Sequence, residues 1–247
     1  MVLDKTMTKA IIYYSDFHAS PEILEVCLRQ LKSAWTGDAV SVTLNKPLDL
    51  GKNIVLQGER SNSMFYKQIL TALENSTADY IFFCEHDVLY RPEHFEFTPP
   101  KDNVFYYNIS SWRWEYPNDR LVTWDEMTPL SSMCVNREWA LDHYRRRVKR
   151  IIDTGCDKED GIGKMQPVWA RALGYEPGTK RRKIGGFSDD VSDKWKSKVP
   201  NIDIRHKGCL TNPKTNLHQF KHPPTNFQER TIKDFLPEWD LKSLFNL

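Results

Sequence analysis

Apolar and polar residues follow one another along this chain with periods that switch between strand and helix. Lys9 to Ser15 (KAIIYYS) is an almost continuous apolar run, which predicts a buried strand. Ser20 and Pro21 form an N-cap followed by proline at the first helical position, and apolar residues then recur at helical spacing from Ile23 to Ala34. Val40 to Leu44 alternates as a second strand. This order predicts a βαβ unit with a right-handed crossover.

A second helix and the most apolar strand follow. After a short strand predicted at Ile54 to Leu56, Ser61 can cap a helix that reaches about Leu73. Tyr80 to Cys84 is aromatic and β-branched, which predicts a strand buried on both faces of a parallel sheet. Glu85, His86 and Asp87 come directly after it. Ligands of open α/β sheets gather at the carboxyl ends of strands, so we expect this triplet to face a crevice.

The triplet Glu85-His86-Asp87 carries the first candidate chemistry. On an extended backbone Glu85 and Asp87 would point to the same side, where two hard oxygen atoms could share one divalent cation. Acidic residues at a strand end also serve as turn formers or helix caps without binding anything. The triplet by itself leaves both interpretations open.

The middle of the chain is rich in aromatic and basic residues. The pattern predicts strands at Val104 to Ile109 and Leu130 to Val135, and a helix at Asn136 to Ile152. We expect the aromatic residues of the stretch 110–125 to fill a core, with Trp112 or Trp114 as the exception that stacks on a sugar ring. The basic run 145–150 (RRRVKR) predicts a solvated helix face, with nucleic-acid contact as the alternative.

A second acidic pair and a late histidine complete the candidates. Glu159 and Asp160 precede a predicted helix, where they either cap it or place a general base. The polar stretch 178–198, with its basic cluster 180–183, predicts a loop that closes over a ligand. Residues 201–206 (NIDIRH) alternate as a strand that ends on His206. The proline-containing tail is expected to wrap the surface.

Composition narrows the class of protein. With 247 residues, 40% of them hydrophobic, the chain is long enough for one large α/β domain. A net charge of +2 gives no strong general attraction to polyanions. Its five cysteines include no C-x-x-C pair, which argues against a zinc ribbon and for free thiols in a reducing compartment. No segment is long and apolar enough to span a bilayer, so we expect a soluble cytoplasmic protein.

The order of these features over residues 9–211 resembles that of the nucleotide-sugar glycosyltransferases of the GT-A fold, of the family-2-like kind. The triplet at 85–87 stands in the place of the D-x-D motif, the segment SSMCVNREWAL (131–141) is similar to the acceptor region, and the pair at 159–160 stands in the place of the x-E-D motif. The resemblance implies an α/β fold of Rossmann type, with a central mixed, mostly parallel sheet flanked by helices. It also implies a domain over 1–212, made of a nucleotide-binding half (9–90) and an acceptor half (91–212), followed by a tail over 213–247.

By this resemblance the enzyme holds Mn²⁺ or Mg²⁺ between Asp87 and His206. The cation neutralises the diphosphate that leaves with the nucleotide, and a mixed oxygen and nitrogen ligand set suits Mn²⁺. Lys207 would lie against the diphosphate as a point charge. Arg60, before a helix N-terminus, is a candidate for a phosphate.

The resemblance also assigns the donor and the acid-base residues. Ser15 and Asp16, at the end of the first strand, would lie by the base and ribose of a UDP-sugar. Glu85 departs from the Asp common in the family, so it either touches the metal or holds the ribose. Asp160, with Glu159 next, would accept the proton of the acceptor hydroxyl, which implies inversion at the anomeric carbon.

The acceptor and two rival classes stay open at this stage. The basic clusters make a hydroxymethylated base in DNA one candidate acceptor, as in phage-type DNA-modifying enzymes, and such a base would have to leave the stack. A second class is a nucleic-acid-binding protein that keeps the fold without catalysis. A third is a metal-dependent phosphohydrolase, against which the lack of a second dense Asp/His cluster counts.

Overall fold

The computed structural model describes residues 7–125, 127–153, 192–209 and 214–247. Over these residues the strands are β1 Lys9–Ser15, β2 Asp38–Leu44, β3 Lys52–Leu56, β4 Tyr80–Glu85, β5 Val88–Leu89, β6 Phe105–Asn108, β7 Ser111–Trp114, β8 Leu121–Thr123, β9 Met133–Asn136, β10 Ser192–Trp195, β11 Asn201–Ile204 and β12 Gln228–Arg230. The helices are α1 Pro21–Ala34, α2 Asn62–Glu74, α3 Pro92–Phe95, α4 Arg137–Asp153 and α5 Leu241–Phe245. Short 3-10 helices lie at Leu130–Ser132, Leu217–Gln219 and Ile232–Phe235.

The larger sheet confirms the predicted fold class. Within the described residues it has seven strands in the order β10-β6-β9-β4-β1-β2-β3. Strand β1 pairs in parallel with both β2 and β4, β2 pairs in parallel with β3, and β9 is antiparallel to both β4 and β6. The predicted βαβ unit is therefore present, and Tyr14 of β1 lies beside Glu85 of β4 at the carboxyl edge.

Helices cover both faces of this sheet because successive strand side chains point to opposite faces. Leu31 of α1 packs with Ile11, Tyr13 and Phe82 on one face. Helices α2 and α4 pack on the other face, against the alternate strand residues. The predicted caps hold: the Ser20 Oγ accepts from the Ile23 N–H, and the Ser61 Oγ accepts from the Met64 N–H at 3.0 Å.

A second, smaller sheet carries the late histidine to the same edge. In the part of the chain that the structure describes, it has five strands in the order β12-β8-β7-β11-β5. Strand β5, which follows the acidic triplet, is antiparallel to β11, and Asp203 lies opposite Val88. The Ile204 N–H also donates to the Asp87 carbonyl at 2.8 Å. The register of β5 on β11 thus places the residues after Ile204 beside the triplet.

The core of the second sheet confirms the predicted core role of Trp112 and Trp114 and contradicts the exception expected for one of them. Trp112 is 8% exposed and Trp114 is fully buried, so neither presents a free indole face for stacking on a sugar. Residues from the C-terminal tail complete this core, and the Trp239 Nε1 donates to the Pro200 carbonyl at 2.7 Å. The described tail is thus a structural part of the second sheet rather than a surface wrap. A domain boundary at 212/213 stays a prediction.

Three local predictions differ from the structure. Leu130–Ser132 is a 3-10 helix, and the strand predicted there is only Met133–Asn136. The basic run on α4 is not entirely solvated, since Arg147 is 2% exposed and its guanidinium lies over the Tyr66 ring. Ser192–Trp195 pairs with β6 as a strand, although a loop was predicted as far as Lys198. Residues 178–191 lie outside the described ranges.

The described ranges contain free cysteines and several helices. None of the helices there has the length and apolar content needed to cross a bilayer. Cys27, Cys84, Cys134 and Cys209 are free thiols, and Cys156 lies outside these ranges. A cytoplasmic location stays a prediction.

Candidate functional site

A cavity of about 170 Å³ opens at the carboxyl edge of the larger sheet, where β1 and β4 end. Its walls come from the end of β1, the start of α2, and the segments that follow β4 and β11. Buried Gln68 of α2 donates from Nε2 to the carbonyls of Ser15 and Val42, at 2.9 and 3.0 Å. This side chain ties the ends of β1 and β2 to the helix and fixes the cavity wall.

The turn after β1 is held by its own side chains. The Ser15 Oγ accepts from the Phe17 N–H at 3.0 Å, and the Asp16 Oδ1 accepts from the His18 N–H at 2.9 Å. Phe17 adopts a positive φ of 57°, which these short side-chain contacts stabilise. Ser15 and Asp16 both line the cavity.

Two histidines and one aspartate converge at the edge of this cavity. One ligand atom from each of His86, Asp87 and His206 lies within 4.8 Å of the other two. The Asp87 Oδ2 is 3.4 Å from the His206 Nε2. Asp87 and His206, which the sequence predicts to share a cation, are thus brought together by the fold.

Glu85 does not share this group, contrary to the expected alternation. The chain turns at His86 and Asp87, so the backbone is not extended there. Glu85 and Asp87 both line the cavity, but Glu85 contributes no atom to the group of three ligands. The Glu85 Oε1 instead accepts from the Tyr14 Oη at 2.9 Å, still facing the cavity. His86 takes the place in the cluster that the strand pattern gave to Glu85.

Burial and neighbouring charges shift the pKa values of Glu85 and Asp87 in opposite directions. Burial raises the pKa of Glu85, and the nearby charge of Asp87 raises it further. Burial also acts to raise the pKa of Asp87, but the adjacent His206 side chain and the charges of His86 and Arg205 outweigh it and hold the pKa below its ordinary value. Asp87 is therefore the ionised member, as a metal ligand must be.

The residues present fit a divalent cation. The His206 Nε2 is buried beside the ionised Asp87 but makes no hydrogen bond within the described ranges, which is the position that a cation would complete. Two imidazole nitrogens and one carboxylate oxygen suit Mn²⁺ and similar ions better than Ca²⁺. The Gly208 N–H donates to the His206 Nδ1 at 3.0 Å, so the neutral ring carries its proton on Nε2. Nε2 can bind a cation only when the ring carries its proton on Nδ1 instead, a change that breaks the hydrogen bond from the Gly208 N–H.

Arg60 connects the two sides of the cluster. Its Nε donates to the Asp16 carboxylate, and its Nη2 donates to the Gly208 carbonyl. The Asp16 Oδ1 in turn lies 3.9 Å from the His86 Nε2. The Arg60 guanidinium therefore restrains Asp16, beside His86, and Gly208, beside His206. Arg60 was predicted to contact a phosphate, but in this structure its guanidinium is paired with these two protein groups.

Three cavity residues were missed by the sequence analysis. Arg205 lines the cavity, and its Nη1 lies 3.2 Å from the Asp203 Oδ1. The Cys209 Sγ lies 3.7 Å from the Asp87 Oδ2, and Tyr14 holds Glu85. Adjacency to His206 was the available signal for Arg205. Nothing in the sequence around Tyr14 or Cys209 marks either residue as part of a site.

The remaining predicted site residues divide into two groups. Lys207 is exposed and lines a neighbouring cleft of about 480 Å³ on the other side of His206, not the cavity that Asp87 lines. Glu159 and Asp160, the predicted acid-base pair, lie outside the described residues. Their proposed role is therefore carried by the resemblance alone.

No protein-family model and no curated protein matches the chain. It is similar to the glycosyltransferase GlyE of Streptococcus pneumoniae, with TM-score 0.42, 10% identity, and coverage of 77% of this chain and 45% of that one. It is also similar to S. aureus TarS in complex with UDP-GlcNAc (TM-score 0.44, 10% identity, 83% and 60% coverage). A nucleotidyl transferase from Methanothermobacter thermautotroptrophicus gives TM-score 0.35, 10% identity, and 56% and 76% coverage.

The chain spans less than half of the GlyE structure. All of these TM-scores lie below 0.5 and the identities are about one residue in ten. The residues of the site itself therefore carry the functional proposal.

Proposed function

We propose that this chain is a metal-dependent, inverting glycosyltransferase that moves a sugar from a nucleotide-sugar, a UDP-sugar, to a hydroxyl group. The observation that carries the proposal is the convergence of His86, Asp87 and His206 beside the cavity at the carboxyl ends of β1 and β4. This is the edge at which open α/β sheets bind nucleotides.

The cavity has the mixture of walls that a nucleotide needs. Leu44, Met64 and Phe65 give an apolar side for a base, while Ser15 and Asp16 offer polar atoms nearby. Glu85, oriented by the Tyr14 hydroxyl, would accept a hydrogen bond from the ribose. The start of α2 lines the same cavity, and the positive end of its dipole favours phosphate oxygens.

His86, Asp87 and His206 would hold the cation, which stabilises negative charge on the leaving diphosphate. Asp87 supplies the ionised oxygen, and Arg60 restrains both imidazoles through Asp16 and Gly208. The neighbouring cleft beyond His206 gives room for the sugar and the acceptor, with Lys207 on its wall.

The acid-base step is assigned to Asp160, with Glu159 next in line. A carboxylate there would accept the proton of the acceptor hydroxyl as that oxygen attacks the anomeric carbon. Attack from the face opposite the leaving diphosphate inverts the configuration at this carbon.

A hydroxymethylated DNA base stays a proposal for the acceptor, but the described basic residues give it little support. Arg145, Arg146 and Lys149 of α4 each pair with a neighbouring carboxylate, as on an ordinary solvated helix face. If DNA is the acceptor, binding should weaken steeply with added salt. Salt-independent binding, or none, leaves another hydroxyl compound as the acceptor.

The proposal is tested by Mn²⁺ titration, followed by paramagnetic resonance, and by mass spectrometry of products from a panel of sugar nucleotides. We expect Asp87→Asn to weaken Mn²⁺ binding by more than about 100-fold, because it removes the ionised ligand. Asp49→Asn is the matched control, since Asp49 is exposed and pairs with Lys32 away from the cavity. Asp160→Asn should keep donor binding and lose turnover.

Two results would overturn the proposal. One is a wild-type protein that binds neither Mn²⁺ nor UDP, with thermal unfolding showing that it is folded. The other is metal-dependent phosphate release from simple phosphomonoesters without any sugar transfer, which would favour a phosphohydrolase.

A further inference from the structure

A second cleft, of about 420 Å³, lies at the seam between the two sheets. It is formed where β6 and β10 end, where β7 begins, and beside the end of β8. Ser111 of β7 pairs with Asn201 of β11, five residues before His206. At about 3.3 Å per residue, the cleft lies about 16 Å along the strand from the candidate metal cluster. It is therefore a different site from the cavity that Asp87 lines.

One side of the cleft is cationic. Lys194 and Lys196 both line it, and both are exposed. Trp195 lies between them in sequence, so its side chain points to the opposite face of the strand. There it stacks on Phe97, with ring centroids 4.3 Å apart, and holds β10 in place. Neither lysine forms an ion pair with a residue that the structure describes.

The floor and the opposite wall are polar. Ser111 is 2% exposed, and its Oγ has no hydrogen-bond partner among the residues with described positions. A buried hydroxyl without a partner is costly unless something binds it. Asn226 and Gln228 add amide groups. The Asp125 carboxylate, also on the wall, already accepts from the Asn226 Nδ2 at 2.8 Å.

We propose that this cleft binds an anionic saccharide, with an oxyanion between Lys194 and Lys196 and a sugar hydroxyl on the Ser111 Oγ. The two lysines outnumber the single carboxylate of Asp125, so the cleft favours a negatively charged ligand. The Ser111 hydroxyl and the amides of Asn226 and Gln228 can form hydrogen bonds with the hydroxyl groups of a sugar. The volume is far larger than one phosphate needs and falls within the range of small-ligand sites. The inference does not require the transferase activity.

The test uses ¹⁵N-¹H spectra of the eight tryptophan indoles, with glucose 6-phosphate, glucuronate, glucose and inorganic phosphate as separate probes. We expect the two acidic sugars to shift the indole signals of Trp112 and Trp124, which line the cleft. Signals are assigned from the Trp112→Phe and Trp124→Phe proteins. Glucuronate and glucose 6-phosphate distinguish a carboxylate from a phosphate as the natural anion.

Variants separate the two parts of the proposed contact. Replacing both lysines (Lys194→Gln with Lys196→Gln) should weaken binding of the acidic sugars about tenfold, as expected for two exposed ion pairs. Lys198→Gln is the control, because Lys198 is exposed but does not line the cleft. Ser111→Ala should weaken binding about fivefold without lowering the unfolding temperature, since its hydroxyl has no partner to lose.

Each other outcome overturns the inference. Equal shifts from inorganic phosphate alone would show an oxyanion site without sugar recognition. Tighter binding of single-stranded DNA, lost in the double lysine variant, would show a nucleic-acid surface. No shift with either acidic sugar would remove the site altogether. Binding of UDP and Mn²⁺, measured on the same variants, is expected to be unchanged, so this inference and the proposed function can fail separately.

Discussion

Gly208 offers a sharp test of how the candidate cluster is held, through the substitution Gly208→Ala. A Cβ at this position would lie 1.9 Å from the His18 carbonyl oxygen and 2.9 Å from the His206 Nδ1. Both distances are shorter than real Cβ contacts, and the nearer atom belongs to the backbone, which cannot rotate away as a side chain can. The peptide must therefore move, by about 1 Å in a closely packed region.

The size of the effect follows from what this peptide does. Its N–H donates to the His206 Nδ1, and its carbonyl accepts from Arg60. The added Cβ would also lie 2.8 Å from the His206 Cε1 and push the ring from the orientation that faces Asp87. Changes around a ligand that disturb its orientation lower metal affinity about 10- to 100-fold. The added methyl also costs about 1–3 kcal/mol of folding free energy through overpacking. For a chain of this size that corresponds to a fall in Tm of roughly 2–12 °C.

The assay measures Mn²⁺ affinity by paramagnetic resonance, and Tm by calorimetry without metal. Gly37→Ala is the matched control, because its added Cβ would lie 2.7 Å from the Trp35 ring, away from the candidate cluster. It should therefore lower Tm without changing Mn²⁺ affinity. If Gly208→Ala binds Mn²⁺ within twofold of the wild-type protein, while keeping its Tm, then His206 does not depend on this peptide and the proposed geometry of the cluster is wrong.

Two further predictions concern stability. Burial lowers the pKa of His94 to about 3, whereas an unfolded histidine has a pKa of about 6.5. The unfolded chain therefore binds more protons between these values, so the stabilisation present above about pH 6.5 should fall by roughly 1.4 kcal/mol per pH unit on acidification. In urea unfolding, the free energy of unfolding should fall between pH 7 and pH 5 by about 2 kcal/mol less in His94→Gln than in the wild-type protein. An equal fall in both proteins would contradict this account. Trp239→Ala should cost about 3–5 kcal/mol in the same assay, and Trp239→Phe much less, because the indole fills the second core; unchanged unfolding of the alanine variant would show that the tail is dispensable.

Local signals in the sequence were sufficient for the first half of the larger sheet. The Ser20-Pro21 start of α1 and the Ser61 cap of α2 depend on contacts within one helical turn, so they could be identified from neighbouring residues. The strand at Tyr80 followed from its unbroken apolar composition. The same reasoning placed the acidic triplet at a strand end, where the cavity is found.

For the aromatic residues of the stretch 110–125, composition alone could not distinguish a core from a sugar-binding surface. Tryptophan is equally suited to a core and to a sugar platform, so its sequence context could not decide between them. The tail decided it, because residues far along the chain, including Phe235 and Phe245, pack against Trp112 and Trp114.

The sequence by itself therefore determined the βαβ unit and the helix caps, and it identified Asp87 and His206 as candidate metal ligands. Only the tertiary structure decided that His86, rather than Glu85, stands with them, because a turn replaces the extended backbone after β4. The pairing of β5 with β11 then brings His206 to that turn. Caps and periodicity involve residues a few positions apart, whereas this cluster depends on the register of strands that are distant in sequence, and no local pattern encodes that register.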